Sequence, residues 1–187
     1  VMVEASGENQ IVVASGANLS VRADALPPEM LGPETTLLCQ MEIPIAETES
    51  ALIRAKAAGA RTMLNLAPAA PISDAALAAV DVLVVNEIEA RMLVPSGASV
   101  AAMALSLSEA HRLTCIITLG PDGVFVRQED GTESSHLAPK IEPVDTVGAG
   151  DAFVGALAAA LDSGCSIADA LPRALASGAI TCTRHGA

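Results

Sequence analysis

Gly148, Ala149, Gly150 and Asp151 are the residues of this chain whose types and spacing say most about chemistry. They lie in Val144-Asp145-Thr146-Val147-Gly148-Ala149-Gly150-Asp151-Ala152-Phe153, a polar, glycine-broken turn that runs into an alanine-rich helix. Two glycines let the backbone approach a ligand closely and adopt angles that other residues avoid. The helix N-terminus aims free N–H groups and the positive end of its dipole at one point, which makes an anion site. Asp151, one residue past the last glycine, would repel an anion. It makes sense as a base that takes a proton from a nucleophile attacking that anion. A donor-lined anion hole beside a base describes phosphoryl transfer to a hydroxyl. A tight turn followed by an acidic residue at a helix start is also mildly stabilising in its own right. Taken alone, the motif leaves both readings open.

Two other nucleotide motifs fail here. A Rossmann GxGxxG would need glycine at 153, where the chain has Phe153, and a Walker loop needs Gly-Lys before Ser or Thr, which occurs nowhere. Other candidates carry plain and chemical readings side by side. Asn86-Glu87-Ile88-Glu89 has the Asn-x-x-Glu spacing of a helix capping box. Thr118-Leu119-Gly120-Pro121-Asp122-Gly123 reads as a turn between strands. Asp145 is a residue type that hydrogen-bonds at loop ends. Glu42 is expected at a strand end, where a lone carboxylate is solvated, and His185 reads as a surface histidine.

These residues need a scaffold, and the hydropathy pattern supplies one. Strands are expected at 1–5, 10–14, 37–41, 62–66, 82–85, 115–119, 124–127 and 133–137. Helices are expected at 46–58, from Ser73 to about 80, and at 87–93, 100–112, 149–163 and 167–183. Turns at Gly7-Glu8-Asn9 and Glu129-Asp130-Gly131 join two hairpins. Residues 18–36 are polar and proline-marked, with room for a short helix. Strand–helix alternation argues for an α/β fold, a doubly wound, mostly parallel sheet flanked by helices. Such sheets bind ligands at the carboxyl ends of their strands, and Asn65, Asn86 and Gly120 each fall just after one.

Composition agrees with this scaffold. The 187 residues are 51% hydrophobic but include only two Phe and no Trp or Tyr, so the core is Ala, Val, Leu and Ile. A net charge of −12 disfavours nucleic acid or an anionic membrane as partner. The same charge repels a polyphosphate, so local dipoles and Mg²⁺ must overcome it. No apolar run reaches membrane-spanning length. Cys39, Cys115, Cys165 and Cys182 form no CxxC pair and read as reduced core thiols of a cytoplasmic protein. The chain opens on Val1 inside an expected strand, which reads as a piece of a longer protein.

The stretch from Asp145 to Phe153 closely resembles the C-terminal signature of the ribokinase-like (PfkB) carbohydrate kinases. Cys39-Gln40-Met41-Glu42, Leu64-Asn65-Leu66-Ala67-Pro68-Ala69, Asn86-Glu87-Ile88-Glu89, Thr118-Leu119-Gly120-Pro121-Asp122-Gly123 and Thr183-Arg184-His185-Gly186-Ala187 follow the family's order and spacing. The resemblance therefore covers nearly the whole chain. It implies that 1–187 is the C-terminal nucleotide-binding and catalytic portion of a single α/β kinase domain, with 1–14 a remnant of a β lid. It further implies that the Gly148, Ala149 and Gly150 amides stabilise the transferring phosphoryl group, with Asp151 as base. Asn86 would contact the ATP phosphates and Glu89 would hold Mg²⁺ through water. Thr118, Gly120 and Gly123 would lie against the nucleotide, and His185 would border the adenine. Asp145 would be a K⁺ ligand, completed by carbonyls near Val147, Thr181, Arg184 and Gly186. Glu42 would meet a sugar hydroxyl, and Asn18 would line the phosphate region. Leu66 departs from the pattern, which has proline there.

The activity implied is transfer of the γ-phosphoryl group of ATP to the 5-hydroxyl of D-ribose. Sibling kinases acting on fructose, 2-keto-3-deoxygluconate or a nucleoside are the alternative, and the full-length protein would be a homodimer. The family's sugar-gripping N-terminal segment, with its aspartate and Gly-Gly-Lys-Gly-x-Asn-like stretch, does not occur in these residues. A truncated, non-catalytic nucleotide-binding or interaction protein is the reading of another class, and an NAD-dependent oxidoreductase is a distant third.

Overall fold

The computed structural model describes residues 13–94 and 97–186, and the backbone of 2–3 and 9–10. The chain divides into two compact units, Asn18–Leu137 and the pair Val1–Ala17 with Ala138–Ala187.

The unit spanning 18–137 is built on one six-stranded sheet. Its strands are β3 (Thr36–Cys39), β4 (Arg61–Asn65), β5 (Val82–Asn86), β6 (Thr114–Thr118), β7 (Val124–Arg127) and β8 (Glu133–His136), in that order across the sheet. β3 to β6 run parallel, and β7 and β8 add an antiparallel hairpin. Helices α1 (Ile45–Ala57), α2 (Asp74–Leu77), α3 (Glu87–Leu93) and α4 (Val100–His111) fill the crossovers. Sequential strand order with crossovers of one hand sends these helices to the same face. The core shows it: Leu52, Leu77, Ala90, Met103 and Leu107 from the four helices pack with Leu64, Leu83, Val85, Cys115 and Ile117 from the sheet. The register pairs Leu64 with Leu83 and Leu83 with Cys115, so these side chains share one face of the pleat.

Most boundaries fall within a residue or two of expectation, and the departures have local causes. Ser73 caps α2 as expected, accepting the Ala76 N–H at 3.3 Å, but the helix stops at Leu77. Residues 78–80 close in tight turns because buried Val80 must deliver the chain into β5. β3 ends at Cys39, so Met41 and Glu42 lie beyond the strand, and the Met41 N–H bonds to the Ala67 carbonyl at 3.1 Å. Asn65 and Asn86 are the last residues of their strands, and Leu119 separates Gly120 from β6. Residues 18–36 hold short 3₁₀ turns at Ala23–Ala25 and Pro28–Met30. Asn18 lies in another, Gly16–Ser20.

In the other unit, β1 (Met2–Val3) and β2 (Asn9–Gln10) pair antiparallel, which agrees with the expected hairpin in part. Its turn residues Gly7 and Glu8 lie outside the described residues, as does Ala187. Helices α5 (Ala149–Asp162) and α6 (Ile167–Thr181) pack against each other. Phe153, Val154 and Leu157 of α5 are buried, as are Ala170, Leu171 and Ala174 of α6. Among the described residues no helix is long and apolar enough to cross a membrane.

Candidate active site

The candidate residues fall into two groups, one in each unit. In the sheet unit they gather on the rim formed by the strands' carboxyl ends. Asn86 ends β5 directly opposite Thr118, which ends β6, and the Thr118 hydroxyl donates to the Val85 carbonyl at 3.4 Å. Asn65 ends the neighbouring strand β4.

Asn86 also starts α3 through a complete capping box. Its Oδ1 accepts the Glu89 N–H at 2.8 Å, and Glu89 Oε2 accepts the Asn86 N–H at 2.8 Å. The cap spends one side-chain oxygen of each residue. The exposed Asn86 keeps its amide donors, and Glu89 keeps Oε1. Glu89 is only 8% exposed, and burial pushes its carboxyl above the ordinary 4.5, opposed by the Asn86 N–H. One helix start therefore presents both a neutral donor and a carboxylate oxygen. That donor set fits water-mediated Mg²⁺, which needs oxygen atoms and usually keeps several waters.

After β6 the chain turns through Gly120–Asp122 and re-enters the sheet at β7. Gly123 closes the turn at φ +95°, ψ −129°, a conformation that is essentially glycine's alone, and the Leu119 N–H bonds to its carbonyl at 2.8 Å. A Cβ placed on Gly120 would meet nothing within 4 Å, which leaves open space above this backbone. Glu42 is exposed in the loop between β3 and α1.

The second group surrounds the start of α5. Gly148 is the N-cap in the left-handed region (φ +74°), which turns the chain sharply into the helix. The Ala149 N–H reaches back to the Thr146 carbonyl at 3.3 Å, while the Gly148 and Gly150 amides find no acceptor among the described residues. Asp151 sits exposed in the first helical turn, also without a hydrogen-bond partner among the described residues. Donors left unpaired at a helix start are what an anion hole requires.

Asp145 organises the loop before that turn. Its Oδ1 accepts the Val147 N–H at 3.0 Å and its Oδ2 accepts the Gly186 N–H at 3.1 Å, across 41 residues of sequence. The Val147 N–H foremost, then the Gly186 N–H, hold the Asp145 carboxyl below the ordinary 3.8 against desolvation, with the least contribution from neighbouring His185. The Cys182 carbonyl accepts the Val144 N–H at 2.8 Å and the Asp145 N–H at 3.3 Å, so the end of α6 is stitched to the same loop. The loop-end reading of Asp145 is thus correct. A carboxylate with lone pairs to spare is also the oxygen-donor type that fits a hard cation such as K⁺. The Thr181 carbonyl accepts from the Arg184 N–H at 3.3 Å, and Arg184 and His185 are exposed.

Gly178 was not singled out from the sequence. A Cβ there would lie 3.1 Å from the Ala149 carbonyl oxygen and 3.6 Å from Phe153 Cβ. The missing side chain lets α6 press on the first turn of α5. Glycine inside a helix is a costly choice, and that was the available signal.

The sheet unit thus carries a polar rim at its strands' carboxyl ends, and the other unit carries a helix start with unpaired amides and an exposed aspartate. Residues 1–187 match the pfkB family carbohydrate kinase profile. The chain belongs to that family. It is 34% identical to a ribokinase of Schizosaccharomyces pombe over 196 residues, covering all of this chain and 62% of that protein. A ribokinase structure from Thermotoga maritima superposes with a TM-score of 0.88 at 30% identity, covering 99% of this chain and 62% of that one. The structure of Arabidopsis thaliana ribokinase complexed with ribose and ATP superposes at 0.82 and 26% identity, covering all of this chain and 62% of that one. The chain spans a little over three fifths of the length of these relatives.

Proposed function

We propose that this chain is the nucleotide-binding and catalytic portion of an ATP-dependent sugar kinase that phosphorylates the 5-hydroxyl of D-ribose. The observation that carries the reading is the start of α5, where left-handed Gly148 leaves unpaired amides beside exposed, unpartnered Asp151. Relatives described as ribokinases across the chain's full length support the choice of ribose.

Asp151 takes the proton of the sugar's 5-hydroxyl. The freed oxygen attacks the γ-phosphorus of ATP, and the bond to the ADP oxygen breaks in line. The amides of Gly148, Ala149 and Gly150 hold the charge on the equatorial oxygens, so positioning and electrostatics supply the catalysis. Asn86, Thr118, Gly120 and Gly123 bind the nucleotide, with His185 toward the adenine. Glu42 binds a sugar hydroxyl, and Asn18 lies toward the phosphates. Glu89 would hold Mg²⁺ through water, and Asp145 with the carbonyls of Val147, Thr181, Arg184 and Gly186 would hold K⁺. Together the cations would neutralise phosphate charge and shape the anion hole. Residues 1–14 belong to the β lid, through which the full-length protein dimerises, and the reaction is cytoplasmic.

The test is ATP consumption with Mg²⁺ and K⁺ against a panel of sugars and nucleosides, using this chain, the full-length gene product and its Asp151→Asn variant. Ribose turnover that falls by about 10²–10⁴ in Asp151→Asn supports the reading. If the full-length product turns over no sugar or nucleoside, the kinase reading fails and a binding role replaces it.

A further inference from the structure

The loop carrying Glu42 is held at three successive residues by groups outside its own backbone. The Thr48 hydroxyl, on α1, donates to the Gln40 carbonyl at 3.2 Å. The Met41 N–H donates to the Ala67 carbonyl at 3.1 Å, and the Met41 side chain is buried. The Glu42 N–H donates to Gln40 Oε1. Thr48 is fully buried at 0% exposure, so no ligand reaches it. The Glu42 side chain has no hydrogen-bond partner among the described residues and stands exposed at the end of this mount. Exposed loop carboxylates ordinarily move freely, and a mobile group must be ordered before it can bind a substrate. Here the fold orders the backbone that carries Glu42 and leaves the carboxylate itself free to meet a ligand.

We infer that Gln40 and Thr48 are positioning residues for the sugar. They hold the Glu42 backbone so that its carboxylate is presented to a neutral polyol from a fixed base, and neither touches the nucleotide. The inference rests on the kinase reading above, in which Glu42 takes a sugar hydroxyl. Gln40 acts through its side-chain oxygen alone. Thr48 acts through its hydroxyl, which donates to the Gln40 carbonyl.

The test uses the full-length gene product and paired variants. Gln40→Met removes the acceptor at constant length, and Gln40→Glu restores an acceptor oxygen. Thr48→Val removes the hydroxyl at constant shape, and Thr48→Ser restores it. The expected result is a rise in the sugar KM of between about twofold and tenfold in Gln40→Met and Thr48→Val, the scale of one lost hydrogen bond. The KM for ATP stays unchanged, and Gln40→Glu and Thr48→Ser return the sugar KM toward the starting value. Hydrogen exchange at the Glu42 amide reads the mount directly, slow in the unaltered protein and faster in Gln40→Met.

An unchanged sugar KM in folded Gln40→Met overturns the inference while leaving the kinase reading intact. Parallel rises in the sugar and ATP KM values also overturn it, because they mark general damage. Failure of Gln40→Glu to recover would mean that Gln40 touches the sugar through its amide and is no mount. If Thr48→Val does not fold, the Gln40 pair decides alone. Absence of any sugar turnover by the unaltered protein overturns the kinase reading itself.

Discussion

Glu89→Gln separates the two jobs assigned to the start of α3. A glutamine keeps a carbonyl oxygen where Glu89 Oε2 accepts the Asn86 N–H at 2.8 Å, so the capping box survives. It also removes a carboxylate that burial disfavours in its charged form. Stability should therefore stay within about 0.5 kcal/mol of the starting protein, or rise. Asn86→Ala is the contrast. It deletes the acceptor of the Glu89 N–H and should cost about 1 kcal/mol, which is roughly 2–4 °C in melting temperature for a chain of this size. The pH dependence has a definite sign. A folded-state carboxyl raised above 4.5 favours folding in its protonated form, so its contribution is complete below 4.5 and fades as pH rises through the folded value. Glu89→Gln should flatten that part of the stability profile. Calorimetry across acidic to neutral pH reads the stability. Sugar phosphorylation by the full-length product at varied Mg²⁺ reads the chemistry, where a loss of about 10–100-fold is expected for an outer-shell metal contact. A glutamine variant as unstable as Asn86→Ala would refute the capping argument. A stable variant with undiminished activity would remove Glu89 from the metal.

Three further outcomes are expected. Gly178→Val puts branched bulk where even a Cβ lies 3.1 Å from the Ala149 carbonyl, so it should shift the start of α5 and lower both kcat and the melting temperature. Enzyme kinetics set beside thermal melts would show this. Asp145 has a depressed carboxyl, so its contribution to stability is present above the ordinary 3.8 and is lost as pH falls through the folded value, when the Val147 and Gly186 amides lose their anionic acceptor. Asp145→Ala should remove that step from an acid titration of stability. Burial pushes the Cys115 thiol up to about 12 and the Cys39 thiol up to about 11. Iodoacetamide followed by peptide mass mapping should leave fully buried Cys115 unlabelled until the chain unfolds, and native labelling of Cys115 would contradict its place in the core.

The sequence by itself determined the features written in a few consecutive residues. The caps at Ser73 and Asn86 each put an acceptor side chain before a helical run, and each forms. Glycine at 148 before an alanine-rich stretch set the start of α5, and the alternation of short apolar runs with amphipathic ones set the α/β class. These signals are local because capping, turn formation and helical periodicity are satisfied within one or two turns of chain. Tertiary structure decided what joins distant segments. It set Asn86 opposite Thr118 at one strand end, closed Asp145 onto Gly186 and pressed Gly178 against Ala149. It also hung the Glu42 loop from Thr48 and Ala67. Each of those contacts depends on the register and packing of elements far apart in sequence. No pattern within either segment states the distance between them, so the support under the Glu42 loop and the Gly178 contact at the start of α5 became visible only once the chain was folded.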